Sequence, residues 1–340
     1  MTLTLLRRAA PLATAAIALA FPVLAQSPTV DAVRQRGVVN CGIAGSTPGM
    51  SAPDTQGVMR GIDADSCRAI AAAMFGDATK VRFVVTTTQN RFTALQAGEV
   101  DVLIRSTTWT LGREANLGGL FASVNFYDGT AFLVRKDLGV ASAKDLGGAT
   151  VCVAPGSTTE LAVADFFRLH DMQFTPILIQ DIEEIRKAFL SGRCDAYSSD
   201  ASALASFRYS QGPNAESFLL LPEIISKEPL GAMVRKGDDK WFDIVRWSYF
   251  AQLTAEELGV TSENIDEFAD STNPSIRRLL GLEGELGKAL GLDAKWAYNV
   301  VKQVGNFGQM WDRTVGAIGV QRGINNLWTK GGIQYAPPLR

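Results

Sequence analysis

Two oppositely charged residues and a few hydroxyl residues in this 340-residue chain are spaced as if to hold a small zwitterion. Arg113 ends the segment Arg105-Ser106-Thr107-Thr108-Trp109-Thr110-Leu111-Gly112-Arg113. Within it Ser106 and Thr108 share one side of an extended run, because side chains alternate with period two. A planar guanidinium can grip a carboxylate through two parallel N–H bonds, which an ammonium cannot do. Ser157-Thr158-Thr159-Glu160 has the pattern of a capping box, and the free N–H groups of the helix it opens, that of Thr158 first, suit an anion. Asp200 follows a short apolar segment carrying Tyr197 and would take a positive charge. Singly, each has an ordinary reading: a solvated charge for Arg113, a plain N-cap for Ser157, a cap on a helix beginning near Ala201 for Asp200. Together they oppose a carboxylate clamp (Arg113, Thr158) to an ammonium acceptor (Asp200, Ser106, Thr108), the recognition chemistry of an α-amino acid.

The elements that would position these groups occur twice. Ala94 to Ser106 and Ala188 to Asp200 both run from a helix-like stretch through Gly-x-x-Asp into a short strand. Upstream, Cys41-Gly-Ile-Ala-Gly45-Ser46-Thr47 is echoed by Cys152-Val-Ala-Pro-Gly156-Ser157-Thr158. Strands are expected over 38–43, 81–85 and 100–104, with helices over 62–75 and 89–97. The second set is strands over 150–154, 175–179 and 196–199, with helices over 158–169 and 182–190. Strands alternating with helices of this length imply an α/β fold of two lobes, each a mostly parallel sheet flanked by helices with right-handed crossovers. Ligands of such sheets sit beyond the carboxyl ends of the strands, where both Gly-Ser-Thr turns, Ser106 and Asp200 fall. After Leu230 the pattern is mostly helical (241–257, 276–290, 297–304 and 324–330). Its Trp, Leu and Phe residues read as core and as a cover for the first lobe.

Arg7 and Arg8, an apolar Ala-rich run and Val23-Leu24-Ala25 read as an export signal over 1–25, cleaved near Ala25. No later stretch reaches the length that spans a membrane. The chain carries 33 basic and 35 acidic residues, a formal −2 that becomes about −4 without Arg7 and Arg8. That excludes a basic field for nucleic acid or anionic lipid. The length favours two domains: a discontinuous first lobe of 26–130 plus 231–340, with a helical C-terminal extension, and a second of 131–230. Four cysteines in an exported chain suggest two disulfides. Cys41 with Cys67 and Cys152 with Cys194 keeps each bond within one lobe, whereas pairing across lobes would pin a cleft that must open. Four reduced thiols is the alternative, and with no Cys-x-x-Cys and one histidine, His170, no metal site is expected.

Several segments resemble periplasmic general L-amino-acid-binding proteins, in the family 3 solute-binding proteins of ABC importers. They are Gly61-Ile-Asp-Ala-Asp65, Arg91-Phe-Thr-Ala-Leu95, Asp101-Val-Leu-Ile, Thr107-Thr-Trp-Thr110, Gly192-Arg-Cys-Asp-Ala196 and the run from Leu327 to Arg340. The resemblance covers nearly the whole chain after the leader and implies a type II periplasmic-binding-protein fold. It also implies hinge closure on a polar L-amino acid, delivery to membrane permease subunits, a periplasmic monomer, and no cofactor. By that resemblance Arg113 meets the carboxylate and Asp200 the ammonium; Thr108 and the Thr158 backbone assist the clamp, and Ser106 the ammonium. The first cleft loop departs from the pattern, with Met50 where an aromatic residue usually faces the ligand side chain. Arg105 stands where the subgroup usually has a neutral polar residue; pointing inward it would favour acidic or amide side chains. The alternative class is an exported enzyme on the same scaffold, of dehydratase or lytic transglycosylase type, using Asp63 or Asp65. Both of these acids also suit a helix N-terminus.

Overall fold

The structure is a computed structural model that describes residues 27–340, so the leader and its cleavage position lie outside the described residues. In chain order the first part contains α1 (Pro28–Arg36), β1 (Val39–Ile43), β2 (Ala52–Pro53), β3 (Met59–Arg60), α2 (Ile62–Phe75), β4 (Val81–Val85), α3 (Arg91–Gln96), β5 (Val102–Leu103), α4 (Leu111–Asn116) and β6 (Gly119–Asp128). The second contains β7 (Thr130–Arg135), β8 (Thr150–Val153), α5 (Thr158–Leu169), β9 (Thr175–Leu178), α6 (Ile182–Leu190), β10 (Ala196–Asp200), α7 (Ala201–Ser210) and β11 (Phe218–Leu220). The chain then returns through β12 (Glu228–Arg235) to α8 (Asp239–Glu257), α9 (Pro274–Leu279), α10 (Leu286–Leu290), α11 (Trp296–Val304) and α12 (Phe307–Arg313).

Two five-stranded sheets result, ordered β4-β1-β5-β12-β6 and β9-β8-β10-β7-β11. The repeat is complete at this level: β1-α2-β4-α3-β5 and β8-α5-β9-α6-β10 are the same parallel unit. Each sheet has one strand opposed to the rest, β12 in the first and β7 in the second. Those are the strands by which the chain enters from the other sheet. It leaves the first between Asp128 and Thr130 and returns between Leu220 and Glu228. The periodicity of the sequence exposes the parallel strands but not β6, β7 and β12, which are long antiparallel elements without a helix between them.

Every residue of β1 is buried, as helices cover both faces of this part of the sheet. Cys41 on β1 is bonded to Cys67 on α2, and Cys152 on β8 to Cys194 just before β10, with Cα–Cα separations of 6.0 and 5.6 Å. The echo of Cys41 by Cys152 is therefore real, but one bond ties strand to helix and the other ties strand to the loop that enters the next strand. The extension packs α9 to α12 against α2 and α8, where Tyr249, Trp296, Phe307, Trp311, Leu327 and Leu339 join one buried apolar cluster. The helix expected over 276–290 is broken into α9 and α10. Gly281 and Gly284 between them have φ of 72° and 73°, and a Cβ on Gly281 would lie 2.0 Å from the Ala294 carbonyl oxygen. The helix expected over 324–330 is two short 3₁₀ turns, at 323–325 and 328–330.

Candidate functional site

The carboxyl ends of the parallel strands of both sheets face one cleft, which encloses a cavity of about 80 Å³. Thr47, Arg91, Ser106 and Thr108 line it from the first lobe, and Thr158, Arg186 and Asp200 from the second. The walls also touch directly. Arg186 on α6 donates to the Ser46 carbonyl at 3.0 Å, Gln180 donates to Gln89 at 2.5 Å, and the Thr108 and Thr158 hydroxyls are 3.2 Å apart.

Ser106 holds an uncommon conformation, with φ of 42°; only Asp171 shares a positive φ among the described non-glycine residues. Its support is Asp63, in the first turn of α2. One carboxylate oxygen accepts the Ser106 N–H at 2.9 Å and its hydroxyl at 3.3 Å, while the other accepts from Asn125 at 3.1 Å. Burial pushes Asp63 up to about 6, against the pull of these hydrogen bonds. Asp65 instead pairs with Arg68 and Arg313. Neither acid lines the cleft.

At the start of α5 the Ser157 hydroxyl accepts from the Glu160 N–H at 3.0 Å. The Glu160 carboxylate reaches Gly156 at 2.7 Å and not Ser157, so only half of the capping box forms. Asp200 occupies the N-cap position of α7 without capping it, since no side-chain hydrogen bond is made there. Asp128 takes that task by accepting from the Ser202 N–H at 3.2 Å. Asp200 is left facing the cleft; burial, then the charges of Asp128 and Glu228, raise its carboxyl well above the usual aspartate range. Asp128 is itself pushed up to about 6 by burial.

Arg113 is buried but is not among the residues lining the cavity. One of its N–H groups donates to the Thr108 carbonyl at 2.8 Å, and its guanidinium lies 5.4 Å from the centre of the Phe92 ring. Arg91, which the residue-by-residue reading of the sequence passed over, lines the cavity instead. It is 3% exposed, stacks 4.7 Å from the Phe92 ring centre, and its Nε has no partner among the described residues. Burial and the charges of Arg105 and Arg113 hold its guanidinium well below the usual arginine range, with Asp200 and Glu228 pulling the other way. Arg105 is not among the residues lining the cavity but lies behind Thr88, which is. It donates to the Thr86 carbonyl at 2.9 Å and the Thr88 hydroxyl at 3.2 Å, and burial lowers it to about 10.

Met50 lies outside the cavity. The turn from Thr47 to Ser51 folds back on itself and rests on the start of α2, where Met50 O accepts from the Asp63 N–H at 3.0 Å. Gly61 permits this approach, since a Cβ there would come within 2.1 Å of the Met50 oxygen. The Met50 side chain is thereby turned into the apolar cluster with Ile62 and Met310, and Thr47 takes its place on the cleft wall. The signal for Arg91 was its register: it opens the helix that leads into β5, and Ser106 follows that strand.

Residues 39–264 match the model of the bacterial extracellular solute-binding proteins, family 3. The chain is 51% identical to the glutamate/glutamine/aspartate/asparagine-binding protein BztA of Rhodobacter capsulatus, over 93% of this chain and 94% of that one. It is 48% identical to the general L-amino acid-binding periplasmic protein AapJ of Rhizobium johnstonii, again over 93% and 94%. A solved ABC transporter/periplasmic binding protein from Brucella ovis, with glutathione bound, superposes with a TM-score of 0.90 at 46% identity. It covers 93% of this chain and all of that one. These relatives are binding proteins and not enzymes, and no helix of the described residues is long and apolar enough to cross a membrane.

Proposed function

The chain belongs to the bacterial extracellular solute-binding proteins of family 3, and on that premise we propose that it is the substrate-binding subunit of an ABC importer for an L-amino acid with an acidic or amide side chain. The carrying observation is Arg91, a buried guanidinium on the cavity wall with an N–H that no group among the described residues accepts. A buried charge without a partner is expensive in the folded state, and perturbed groups of this kind gather at ligand sites. Asp200 and Ser106 would hold the ammonium. The N–H groups at the start of α5 would hold the α-carboxylate, with Arg113 turning from the Thr108 carbonyl to join them, leaving Arg91 for a carboxylate or amide at the end of the side chain. The cavity of about 80 Å³ suits a small ligand.

The lobes we assign are 26–130 plus 231–340 and 131–230, hinged where the chain passes between the sheets. Closure about such crossings is a standard way for two lobes to enclose a ligand. In this reading the leader of 1–25 exports a monomer to the periplasm, where the closed form delivers its ligand to membrane permease subunits. The names of BztA and AapJ support the amino-acid class.

The test is titration of ligand-stripped protein with the twenty L-amino acids and glutathione, by thermal shift and calorimetry. A true ligand at about 1,000 times its Kd stabilises by about 4 kcal/mol. Glutamate, glutamine, aspartate and asparagine are expected to give the largest shifts. A response to glutathione alone would overturn the single-amino-acid reading, and no response to any compound would overturn the binding reading.

A further inference from the structure

Where the chain returns to the first sheet lies a carboxylate that the ligand scheme leaves unused. Glu228 opens β12, is 2% exposed, and is surrounded by hydroxyls. Its Oε1 accepts from Ser226 at 2.5 Å and from Thr130 at 3.2 Å, both on the segments that join the lobes. Its Oε2 accepts from Thr108 at 2.5 Å and from Thr158 at 2.8 Å. Thr108 belongs to the wall of the first lobe and Thr158 to that of the second, so one oxygen gathers a hydroxyl from each side of the cleft.

We propose that Glu228 is the closure latch of this protein, a positioning residue that ties the two walls together through Thr108 and Thr158. Three of its four bonds are insensitive to opening. Ser226 and Thr130 flank the hinge, where the Thr130 N–H also donates to the Ser226 hydroxyl at 3.1 Å, and Thr108 pairs with Leu230 two residues along the same strand. Thr130 opens β7 of the second sheet but sits at the crossing itself, so only Thr158 moves with the body of the other lobe. Opening the cleft takes its hydroxyl away and leaves one lone pair of a buried carboxylate to be satisfied by water. Charge-assisted O–H bonds to a carboxylate are about twice as strong as neutral ones, so this bond favours the closed form whether or not a ligand is present.

The arrangement also changes the part the two threonines play. A hydroxyl has one proton. With those protons given to Glu228, Thr108 and Thr158 turn only lone pairs toward the cavity. Their hydroxyls can accept from an ammonium but cannot donate to a carboxylate, and the α-carboxylate is left to guanidinium and backbone N–H groups.

The experiment uses the mature protein as wild type, Glu228→Gln, Thr158→Val and the double variant, with L-glutamate as the probe. The Thr158→Val change leaves the backbone N–H in place and removes only the hydroxyl. Each single change is expected to weaken L-glutamate binding by about tenfold or more, and the double variant to bind no more weakly than the worse single one. Additive penalties, or wild-type affinity in Glu228→Gln, would overturn the latch. Small-angle scattering without ligand gives a second readout, independent of what the protein binds. Both single variants are expected to have a larger radius of gyration than wild type at unchanged circular dichroism, and equal radii would overturn the proposal. If wild type itself ignored L-glutamate and the other amino acids, the ligand reading would fail, and the scattering comparison would still decide the latch.

Discussion

Arginines set against aromatic rings stand at both ends of the first lobe, and the protein treats them differently. In the C-terminal extension Arg322 lies between the rings of Phe307 and Trp311 and meets both oxygens of Glu256, at 2.7 and 2.8 Å. Nearby, Arg313 gives two N–H groups to one oxygen of Asp65, at 2.9 and 2.8 Å. At the cleft Arg91 has the same aromatic support from Phe92 but its Nε meets no acceptor among the described residues, and Asp200 caps no helix. The Nε–H lacks a partner among the described residues in Arg91 and Arg322 alike, so the difference lies at the end of the guanidinium, which meets a carboxylate in one region and faces the cleft in the other. The difference separates ion pairs that hold the extension on the lobe from charges that await a ligand. Breaking a buried pair strands its partner, whereas replacing an unpaired buried charge by a neutral group of similar shape removes a penalty.

The sharpest test exchanges the roles. Arg91→Met and Asp200→Asn are each expected to weaken amino-acid binding by about a hundredfold or more, measured by calorimetry, without lowering the melting temperature of the ligand-free protein. Loss of stability together with retained affinity would erase the distinction. Glu256→Ala should do the reverse. It leaves Arg322 beside two aromatic rings without a carboxylate, and urea denaturation should report a loss of about 3 kcal/mol with affinity unchanged.

A smaller effect is expected in the pH dependence. Burial and like charges raise Asp200 well above its usual value, and burial lifts Asp128 to about 6. A carboxyl whose folded pKa exceeds its unfolded value of about 3.9 contributes fully to stability below that value. The contribution is lost as pH rises through the folded pKa, because the folded state then holds a proton it prefers not to release. Ligand-free wild type and Asp200→Asn should therefore melt together near pH 4, with wild type falling several degrees behind by pH 8. An ammonium in the cleft favours the ionised form, so affinity should tighten from pH 5 to pH 8. Parallel melting curves across that range would mean that Asp200 has a partner within the protein.

Much of this contrast was written in the sequence, but not all of its members. The doubled strand-turn-helix pattern located both walls, and Asp200 and Ser106 stood out because they end parallel strands. Both disulfides followed from keeping bonds within a lobe. Glu228 did not stand out, because Lys227-Glu228-Pro229 has the look of a solvated turn; only the crossing of two distant segments buries it. Arg91 looked like a first-turn charge on a short helix, and its burial depends on how that helix is laid under Ser106. Met50 was misplaced for the complementary reason. The loop composition was right for a cleft wall, but a tight turn over Gly61 reverses its side chain into the core. Local pattern identifies strand ends well, and it is blind to which way a loop side chain faces once two segments pack.

The comparison recurs within one turn of helix, and there the expected effects are smallest. Asp63 and Asp65 lie two residues apart at the start of α2 and so project to different sides. Asp63 holds Ser106, whose left-handed backbone costs on the order of 1–3 kcal/mol and must be imposed by its surroundings. Asp65 holds Arg313, whose side chain is 42% exposed, so that pair contributes about 1 kcal/mol at most. Asp63→Asn keeps the shape but must turn an NH2 toward either Ser106 or Asn125, both of which donate to the carboxylate. It should relax Ser106, weaken amino-acid binding by about five- to tenfold, and speed hydrogen exchange at the Ser106 amide. Asp65→Asn should leave affinity and that amide unchanged and lower the urea midpoint slightly. If the two substitutions behaved alike, the first turn of α2 would be a single structural unit, and Asp63 would have no separate part in shaping the cleft.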